Sequence, residues 1–339
     1  VAAGSFDLDQ WAGASVPHAG LVLAAALVGF GMKAGLMPLH VWLPGAHANA
    51  PSHVSAVMSG VVLKMGVYGL LRMASLLPEL DATAGAVLLA LGATSTVLGA
   101  AFAVAQSDLK RLLAYSSIDN IGIAAMGIGL AIIGRAHGRA DLVVLGIVGA
   151  TLHVWNHALF KPLLFFVAGS VIHETGTRSM DRLGGLAKRL PKTSRAALIG
   201  AVALAGLPPL NGFASELVIY TGLFRAALVS EWAALAAPAL AMGGALTLVA
   251  MLKLYGSVFL GSPRTTLAGG EHGERTTMIV PMQLLALGCG AVALSLPLLT
   301  SWLRRVAQVF AGGRELPPLP METSRVTVVL AALAGVVVV

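Results

Sequence analysis

The fold is decided by residues 141–173, which read DLVVLGIVGATLHVWNHALFKPLLFFVAGSVIH. A helix needs about 20 mostly apolar residues to cross the hydrocarbon core of a bilayer, and this run is longer than that. We interpret it as a helix because an open strand edge in lipid leaves backbone groups unpaired. The alternating outward pattern of a membrane barrel is absent from the run.

The whole chain has the same apolar character. Of its 339 residues, 57% are hydrophobic and 11% are charged, against about 25% charged in soluble proteins, so a soluble globular protein is excluded. The net charge of +7 does not indicate a nucleic-acid partner, because the cations lie in short loops or singly inside apolar runs. The single cysteine, Cys289, excludes a disulfide framework, a cysteine zinc site and an iron–sulfur cluster held by this chain alone. We therefore predict no cofactor and no metal on this chain.

Eight apolar runs are long enough to cross a bilayer, and a shorter ninth closes the sequence. They cover residues 19–37, 53–77, 83–106, 114–134, 141–173, 196–224, 233–260, 278–300 and 326–339. The predicted fold is all-α: a polytopic transmembrane helix bundle of about eight spans plus a truncated ninth, with two helices broken near the membrane centre.

The runs divide the chain into four predicted segments. Residues 1–18 form an extramembrane N-terminal segment, residues 19–300 the transmembrane domain, residues 301–325 an extramembrane linker, and residues 326–339 a truncated C-terminal transmembrane helix. The sequence opens without a signal-peptide pattern and closes inside an apolar run. We expect it to be a fragment of a longer chain.

Loop cations predict the orientation of the bundle. Loops that alternate to one side carry Lys110, Arg111, Arg178, Arg182, Lys188, Arg189, Lys192, Arg195, Arg264 and Arg275. The opposite short loops carry Arg135, Arg139 and Arg225. The first group is expected on the cytoplasmic side of a multi-pass plasma (inner) membrane protein.

Five ionisable residues lie inside predicted spans: Lys33, Lys64, Lys161, Glu216 and Lys253. Each costs roughly 2.5 to 3.5 kcal/mol at a bilayer centre on insertion scales, so their presence favours a functional role. A lysine near the end of a span can instead extend to the interface and do nothing more, an alternative that stays open for Lys253. Lys64 is far from either end of its span, which favours function there.

His153, His157 and Lys161 are spaced at i, i+4 and i+8 and therefore share one face of a helix. A row of titratable groups about 6 Å apart suits a proton relay, because neutral imidazole both donates and accepts hydrogen bonds. Histidines satisfied by neighbouring carbonyls are the alternative. A metal site is disfavoured because the two histidines have no Cys, Asp or Glu on the same face.

Two spans are interrupted by proline. Pro38 and Pro44 follow Lys33, and residues 203–216, ALAGLPPLNGFASE, place Pro208 and Pro209 inside a long apolar run. Proline removes a helical donor, and a break at membrane depth is tolerated only where the freed backbone lines a cavity or packs on protein. Glu216 beyond the second break is typical of an ion site.

Asp119, in SSIDNIG, is interpreted as structural: a residue near a helix end that caps the helix or pairs with Lys110 or Arg111. The GMKAG segment at residues 31–35 has GxxxG spacing, but ordinary small-residue packing is the favoured interpretation there.

Four ordered motifs resemble a known family. They are GMKAGLMPLHVWLPGAHANAPSHVSAVMSGVVLKMGVYG (31–69), LLAYSSIDNIG (112–122), HVWNHALFKPLLFFVAGSV (153–171) with MDRLGGL (180–186), and ALAGLPPLNGFASE (203–216). From about Gly29 to Gly261 the chain is similar to the antiporter-like proton-translocating subunits of respiratory complex I, Mrp-type antiporters and membrane-bound hydrogenases. SSIDNIG and GLPPLNGFASE most resemble the branch of hydrogenase-4 component B and formate hydrogenlyase subunit 3.

The resemblance implies a role for each matching residue. Lys33 matches a lysine that in the family pairs with a glutamate on an earlier helix, and Lys64 matches a second lysine. His153, His157 and Lys161 match the central relay, and Glu216 matches the exit residue. The partner glutamate has no counterpart in this sequence, and we expect its helix before Val1.

We predict that protons move from Lys33 through Lys64, His153, His157 and Lys161 to Glu216, with Lys253 a further candidate on the pathway. Electron transfer in other membrane subunits and in a peripheral hydrogenase or dehydrogenase arm would supply the energy, so the chain is a non-redox subunit of an oxidoreductase complex. A complex I subunit or an Mrp-type sodium/proton antiporter subunit is the alternative identity. A stand-alone transporter and a purely structural scaffold are the competing classes.

Overall fold

The computed structural model describes residues 16, 18–264 and 273–338, without the side chains of Trp232 and residues 336–338. The predicted N-terminal segment 1–18 therefore lies almost wholly outside the described residues. Within the described ranges the regular structure is helical. The helices are α1 (Ala19–Ala34), α2 (Trp42–Asn49), α3 (Ser52–Val57), α4 (Leu63–Leu76), α5 (Ala82–Ala105), α6 (Leu109–Ala136), α7 (Ala140–Thr175), α8 (Pro191–Leu204), α9 (Asn211–Ala226), α10 (Glu231–Phe259), α11 (Thr276–Leu294), α12 (Leu296–Phe310) and α13 (Thr323–Val338). The predicted all-α class is confirmed.

Six helical stretches among the described residues are long and apolar enough to cross a membrane. They are Ser52–Leu76, Ala82–Ala105, Leu109–Ala136, Ala140–Thr175, Ala233–Phe259 and Thr276–Leu294. The runs predicted at 19–37 and 326–339 form shorter apolar helices, and the run at 196–224 is divided between α8 and α9. The count of eight spans plus a ninth stays a prediction.

The first predicted break follows α1. Gly35 ends this helix in the left-handed region at φ 81°, where a residue without Cβ is favoured. The chain then turns before α2, and the backbone N–H of Met37 in the turn donates to Ser95 Oγ at 3.0 Å. A helix from elsewhere in the bundle thus satisfies a backbone donor freed by the interruption, as a break surrounded by apolar groups requires.

The second break separates α8 from α9, as the prolines predict. Leu204 is the last residue of α8 and Asn211 the first of α9. Gly206 lies between them in the left-handed region at φ +63°. The depth of either break in a membrane stays a prediction.

The predicted run 278–300 is not one helix. α11 ends at Leu294, and α12 starts at Leu296 with a proline in its first turn, a position that suits a helix start. The segment predicted as the linker 301–325 is therefore helical as far as Phe310. One stripe of α12 is buried, including Leu303, Ala307 and Phe310, so this helix packs along the bundle.

The core of the bundle is built around α6 and α7. The most apolar window of α6 is entirely buried, and glycines let α5 approach it closely. A Cβ at Gly92 would lie 2.7 Å from the Gly122 carbonyl oxygen, and one at Gly122 would lie 2.5 Å from the Gly92 oxygen. The glycine enrichment of these spans thus reflects close helix packing, the favoured interpretation of small residues in membrane helices.

The loops with many cations meet at one end of the bundle. Arg178 pairs with Asp108 at 2.6 Å, and the backbone N–H of Leu109 donates to the Arg178 carbonyl at 2.9 Å. The N–H of Gly185 donates to the Leu260 carbonyl at 2.9 Å. The loops that precede α6, follow α7 and follow α10 therefore share one side, as the loop alternation predicts.

The opposite end holds the other loop arginines. Asp141 accepts from Arg139 at 2.9 Å and from Arg225 at 3.5 Å, so the loops before α7 and after α9 are neighbours. Which end faces the cytoplasm stays a prediction of the cation count.

Candidate proton-path site

The predicted row on α7 is buried in the middle of the bundle. His153 and His157 are each 1% exposed, and Lys161 is fully buried. Their spacing by four residues places them about one helical turn apart. Sequence reasoning placed them on one face, and that face points into the core.

Lys64 joins this row from α4. Its Nζ contacts His157 Nδ1 and the carbonyl oxygen of Ser59. Ser59 belongs to a π-helical segment, Met58–Val62, between α3 and α4; such irregularities often occur at functional sites. The Ser59 hydroxyl is also 2.9 Å from the Ser117 hydroxyl of α6. Lys64 and His157 are thus direct neighbours.

The other end of the row reaches the second broken helix. His153 Nδ1 lies 3.1 Å from Ser215 Oγ, and Ser215 directly precedes Glu216 on α9. Asn156 fixes this junction by donating to Ser215 Oγ at 2.9 Å and to the Asn211 carbonyl at 2.6 Å. Hydrogen-bonding groups therefore follow one another from Lys64 through the two histidines to the residue before Glu216, and the Nε2 atoms of both histidines have no hydrogen-bond partner among the described residues.

Glu216 lies directly against the second break. It is 9% exposed, and a Cβ at Gly206 would lie 2.5 Å from Oε1 and 2.6 Å from Oε2. The carboxylate thus occupies the space that a side chain at position 206 would need. The broken helix positions Glu216 because its connection has a glycine there.

Replacing Gly206 by alanine is expected to destabilise the protein. A residue with Cβ in the left-handed region costs about 1 to 2 kcal/mol, and the clash with Glu216 adds about 1 to 3 kcal/mol, the usual cost of overpacking. Gly176→Ala is the matched control, because Gly176 has φ +68° and a Cβ there would meet no other atom within 4 Å. Thermal unfolding in detergent should show a larger loss for Gly206→Ala. Equal losses would mean that the contact with Glu216 carries no cost.

Lys161 is held by neutral acceptors. Its Nζ donates to the Leu113 carbonyl at 2.9 Å and to Ser116 Oγ at 2.5 Å, both on α6. A buried ammonium without an adjacent carboxylate is costly, and Lys161 forms no ion pair with a carboxylate among the described residues. Its position is suited to gaining and losing a proton.

Asp119 also lies at this site, although the sequence predicts a structural role for it near a helix end. It lies ten residues into α6 and is 2% exposed. Its Oδ2 accepts from Thr247 Oγ1 of α10 at 2.6 Å, and Oδ1 has no hydrogen-bond partner among the described residues. It is within electrostatic range of Lys161 and of Glu216. Asp119 is therefore a buried acidic group near both Lys161 and Glu216.

The expected capping role of Asp119 is wrong. Asp108 caps α6 by accepting from the N–H groups of Lys110 and Arg111 at 2.9 and 3.0 Å, and Lys110 Nζ donates to the Ala50 carbonyl. The expectation failed because α6 begins at Leu109, earlier than the apolar run at 114–134 indicates. That earlier start moves Asp119 into the helix interior.

His47 of α2 is a second buried group that the sequence interpretation did not select. It is fully buried, and its ring stacks on Phe165 with centroids 4.7 Å apart. Neither ring nitrogen has a hydrogen-bond partner among the described residues. The sequence does place His47 close after Pro38 and Pro44 of the first break, and this position could have marked it as a candidate.

The structure does not bring Lys33 and Lys253 to the row. Lys33 is exposed on the last turn of α1. Lys253 Nζ donates to the carbonyls of Val104 and Gln106, each at 2.8 Å, at the end of α5. That is the contact of a cation with a helix C-terminus. The assignment of both lysines to the path stays a prediction.

The family follows from the sequence match. Residues 6–241 match the model of the family described as NADH:quinone oxidoreductase/Mrp antiporter, TM. The match covers more than half of the chain. The chain belongs to this family. It is a multi-pass membrane protein, in agreement with its apolar helices.

Two relatives are proteins of Escherichia coli K12. Hydrogenase-4 component B is 44% identical over 300 residues, covering 86% of this chain and 45% of the relative. Formate hydrogenlyase subunit 3 is 40% identical over 307 residues, covering 89% of this chain and 49% of the relative. The predicted resemblance to this branch is confirmed. The chain spans about half the length of the curated relatives it matches.

A solved structure shows the same arrangement of helices. A chain of respiratory complex I from Thermus thermophilus superimposes with a TM-score of 0.74 at 28% identity, over 92% of this chain and 63% of that chain. This family is thus found in membrane subunits of oxidoreductase complexes.

Proposed function

We propose that this chain translocates protons as a membrane subunit of a multi-subunit redox complex of the hydrogenase-4 or formate hydrogenlyase type, in the inner membrane. The observation that carries the proposal is a set of titratable groups inside the bundle, which consists of the half-buried Lys64 and the buried Lys161, His157, His153 and Glu216. It ends at a helix break, the usual place for an ion site in a membrane transporter.

The path runs in series along α7. A proton enters at Lys161, where Asp119 supplies a nearby negative charge, and passes to His157, which contacts Lys64. From His157 it passes to His153 and then through Ser215 to Glu216. Histidine suits the middle of the path because neutral imidazole donates and accepts.

Energy must come from outside these residues. Moving one proton against 100 mV costs about 2.3 kcal/mol, and we assign this work to electron transfer in a peripheral hydrogenase or dehydrogenase arm and in other membrane subunits. This chain then acts as a non-redox subunit. A charge that appears next to Lys64 or Lys161 would shift the protonation of its neighbours and move the proton along.

The test uses inside-out membrane vesicles that contain the intact complex. Supplying electrons should acidify the vesicle interior at the same rate with and without sodium, as followed by quenching of a pH-sensitive dye. Acidification that requires sodium would favour the Mrp-type alternative. Electron transfer with no pH change in sealed vesicles would refute the proposal.

Replacing Asp119 by asparagine is expected to slow proton translocation by roughly tenfold or more, because each loss of about 1.4 kcal/mol of electrostatic stabilisation at a barrier slows a step tenfold. The amide oxygen still accepts from Thr247, so the helix contact survives while the negative charge is lost. Dye quenching per electron transferred is the measurement. Thr247→Val is the control, because it removes the hydrogen bond and keeps the carboxylate. A normal quenching rate in Asp119→Asn would remove Asp119 from the path.

A further inference from the structure

A cavity of about 840 Å³ lies at the end of the bundle opposite the cation-rich loops. It is bordered by the end of α4, the end of α6, the start of α7 and the chain that follows α12. Three of the six long apolar stretches end or begin there. Because a spanning helix ends near the lipid headgroups, the cavity is at headgroup level.

Four arginines line this cavity: Arg72, Arg135, Arg139 and Arg314. Glu315 is the one acidic residue among the lining residues. Arg139 already pairs with Asp141 at 2.9 Å. The other three arginines outnumber Glu315, so the net charge of the cavity lining is positive. Such a cavity selects an anion.

Arg135 is the residue that points most directly to a ligand. Its Nη2 donates to the carbonyls of Ala74 and Leu77 at 3.0 and 2.8 Å, and its Cζ is 4.8 Å from the centre of the Phe310 ring. Its Nε and Nη1 are buried and have no hydrogen-bond partner among the described residues. Buried donors of a charged group are costly when unpaired. Guanidinium donors form strong charge-assisted hydrogen bonds with phosphate oxygens.

The surroundings suit an amphipathic ligand. Leu76, Val143, Val309 and Leu316 provide apolar walls beside the arginines. The 36-residue helix α7 starts at the cavity edge without a side-chain cap, and its first turn contains Asp141, which pairs with Arg139. The cavity can therefore hold phosphate oxygens against the arginines and a hydrocarbon chain along the apolar wall.

We propose that this cavity binds a phosphate group, the one carried in the headgroup of an anionic phospholipid. The bound phosphate would accept hydrogen bonds from Arg135 and Arg314 and so tie the segment after α12 to the ends of α4 and α6. This site is separate from the proton path, and the proposal does not depend on proton translocation.

The test measures lipid binding to the purified intact protein in mild detergent. Phosphatidylglycerol is added in mixed micelles, and its binding is followed by native mass spectrometry and by the thermal unfolding midpoint. Arg314→Gln should weaken the apparent affinity about fivefold, the factor expected for one arginine near an anionic lipid. Arg135→Gln should weaken it at least as much. Arg305→Gln, an exposed arginine of α12 that does not line the cavity, should leave it unchanged.

Two further arms identify the source of the phosphate. Phosphatidylcholine should bind more weakly than phosphatidylglycerol, because its choline cation opposes the arginines. If inorganic phosphate displaces phosphatidylglycerol, the site binds phosphate and free phosphate is a second ligand. If inorganic phosphate does not displace it, the ligand is the lipid alone. Equal binding of the two lipids, or equal losses in Arg314→Gln and Arg305→Gln, would overturn the proposal.

Discussion

Replacement of Lys161 by methionine is expected to reduce proton translocation by this chain by at least about a hundredfold, the lower range for removing a proton-transfer group. Electron transfer to an artificial acceptor should continue, because the proposal assigns the redox steps to other subunits. Methionine fills much of the space of the fully buried side chain and adapts to irregular cores. The hydrogen bonds to Leu113 and Ser116 are lost with the charge.

Two comparisons separate this effect from a general loss of folding. Lys188→Met changes an exposed lysine in a loop and should leave translocation at the wild-type rate. Lys161→Arg keeps a positive charge that does not dissociate, so it should also block translocation. Wild-type dye quenching in Lys161→Met would remove the central lysine from the path.

Replacement of Glu216 by glutamine is expected to have an effect of similar size. Glutamine retains the shape that packs against Gly206 but has no dissociable proton, so delivery of protons to the far side should stop. The intact packing means that the unfolding midpoint should change little. Quenching in inside-out vesicles, per electron transferred, is again the measurement.

Glu231→Gln provides the matched control for this substitution. Glu231 is exposed in the first turn of α10, so its loss should leave the pH gradient unchanged. A normal gradient in Glu216→Gln would show that protons leave by another residue. A lowered midpoint together with lost translocation would instead indicate a structural role for the carboxylate.

Much of the helical framework was predictable because hydrophobic length and proline are local signals. The second break follows from Pro208 and Pro209, and the inward face of α7 follows from the spacing of His153, His157 and Lys161. Such features depend on residues within one or two turns of each other. A single sequence therefore contains enough information to predict them.

Contacts between distant segments were not predictable in the same way. Asp119 accepts a hydrogen bond from Thr247, which is 128 residues further along the chain. The helix that contains Asp119, α6, also starts before the apolar run that predicts it. Likewise, Arg72, Arg135, Arg139 and Arg314 come from separate parts of the sequence and meet only through packing. The hydropathy pattern also predicts one span over residues 278–300, although α12 begins at Leu296.

The surface around Lys33 suggests why this lysine is not part of the buried row. It is exposed beside apolar residues of α1 such as Val28 and Met32, which are 55% and 47% exposed. In a membrane this face contacts either lipid or another helix. A charged lysine there is costly in lipid, which favours a protein neighbour for that face in the assembled complex.

The central claim is that Lys161 and Glu216 belong to one proton path through this chain. The most direct test is the number of protons moved per electron in vesicles that contain the intact complex, compared among wild type, Lys161→Met, Glu216→Gln and the double variant. A single path in series is interrupted by either change, so we predict the same reduced ratio in all three variants. A ratio that stays at the wild-type value in either single variant, or that falls further in the double variant than in both singles, would contradict the account.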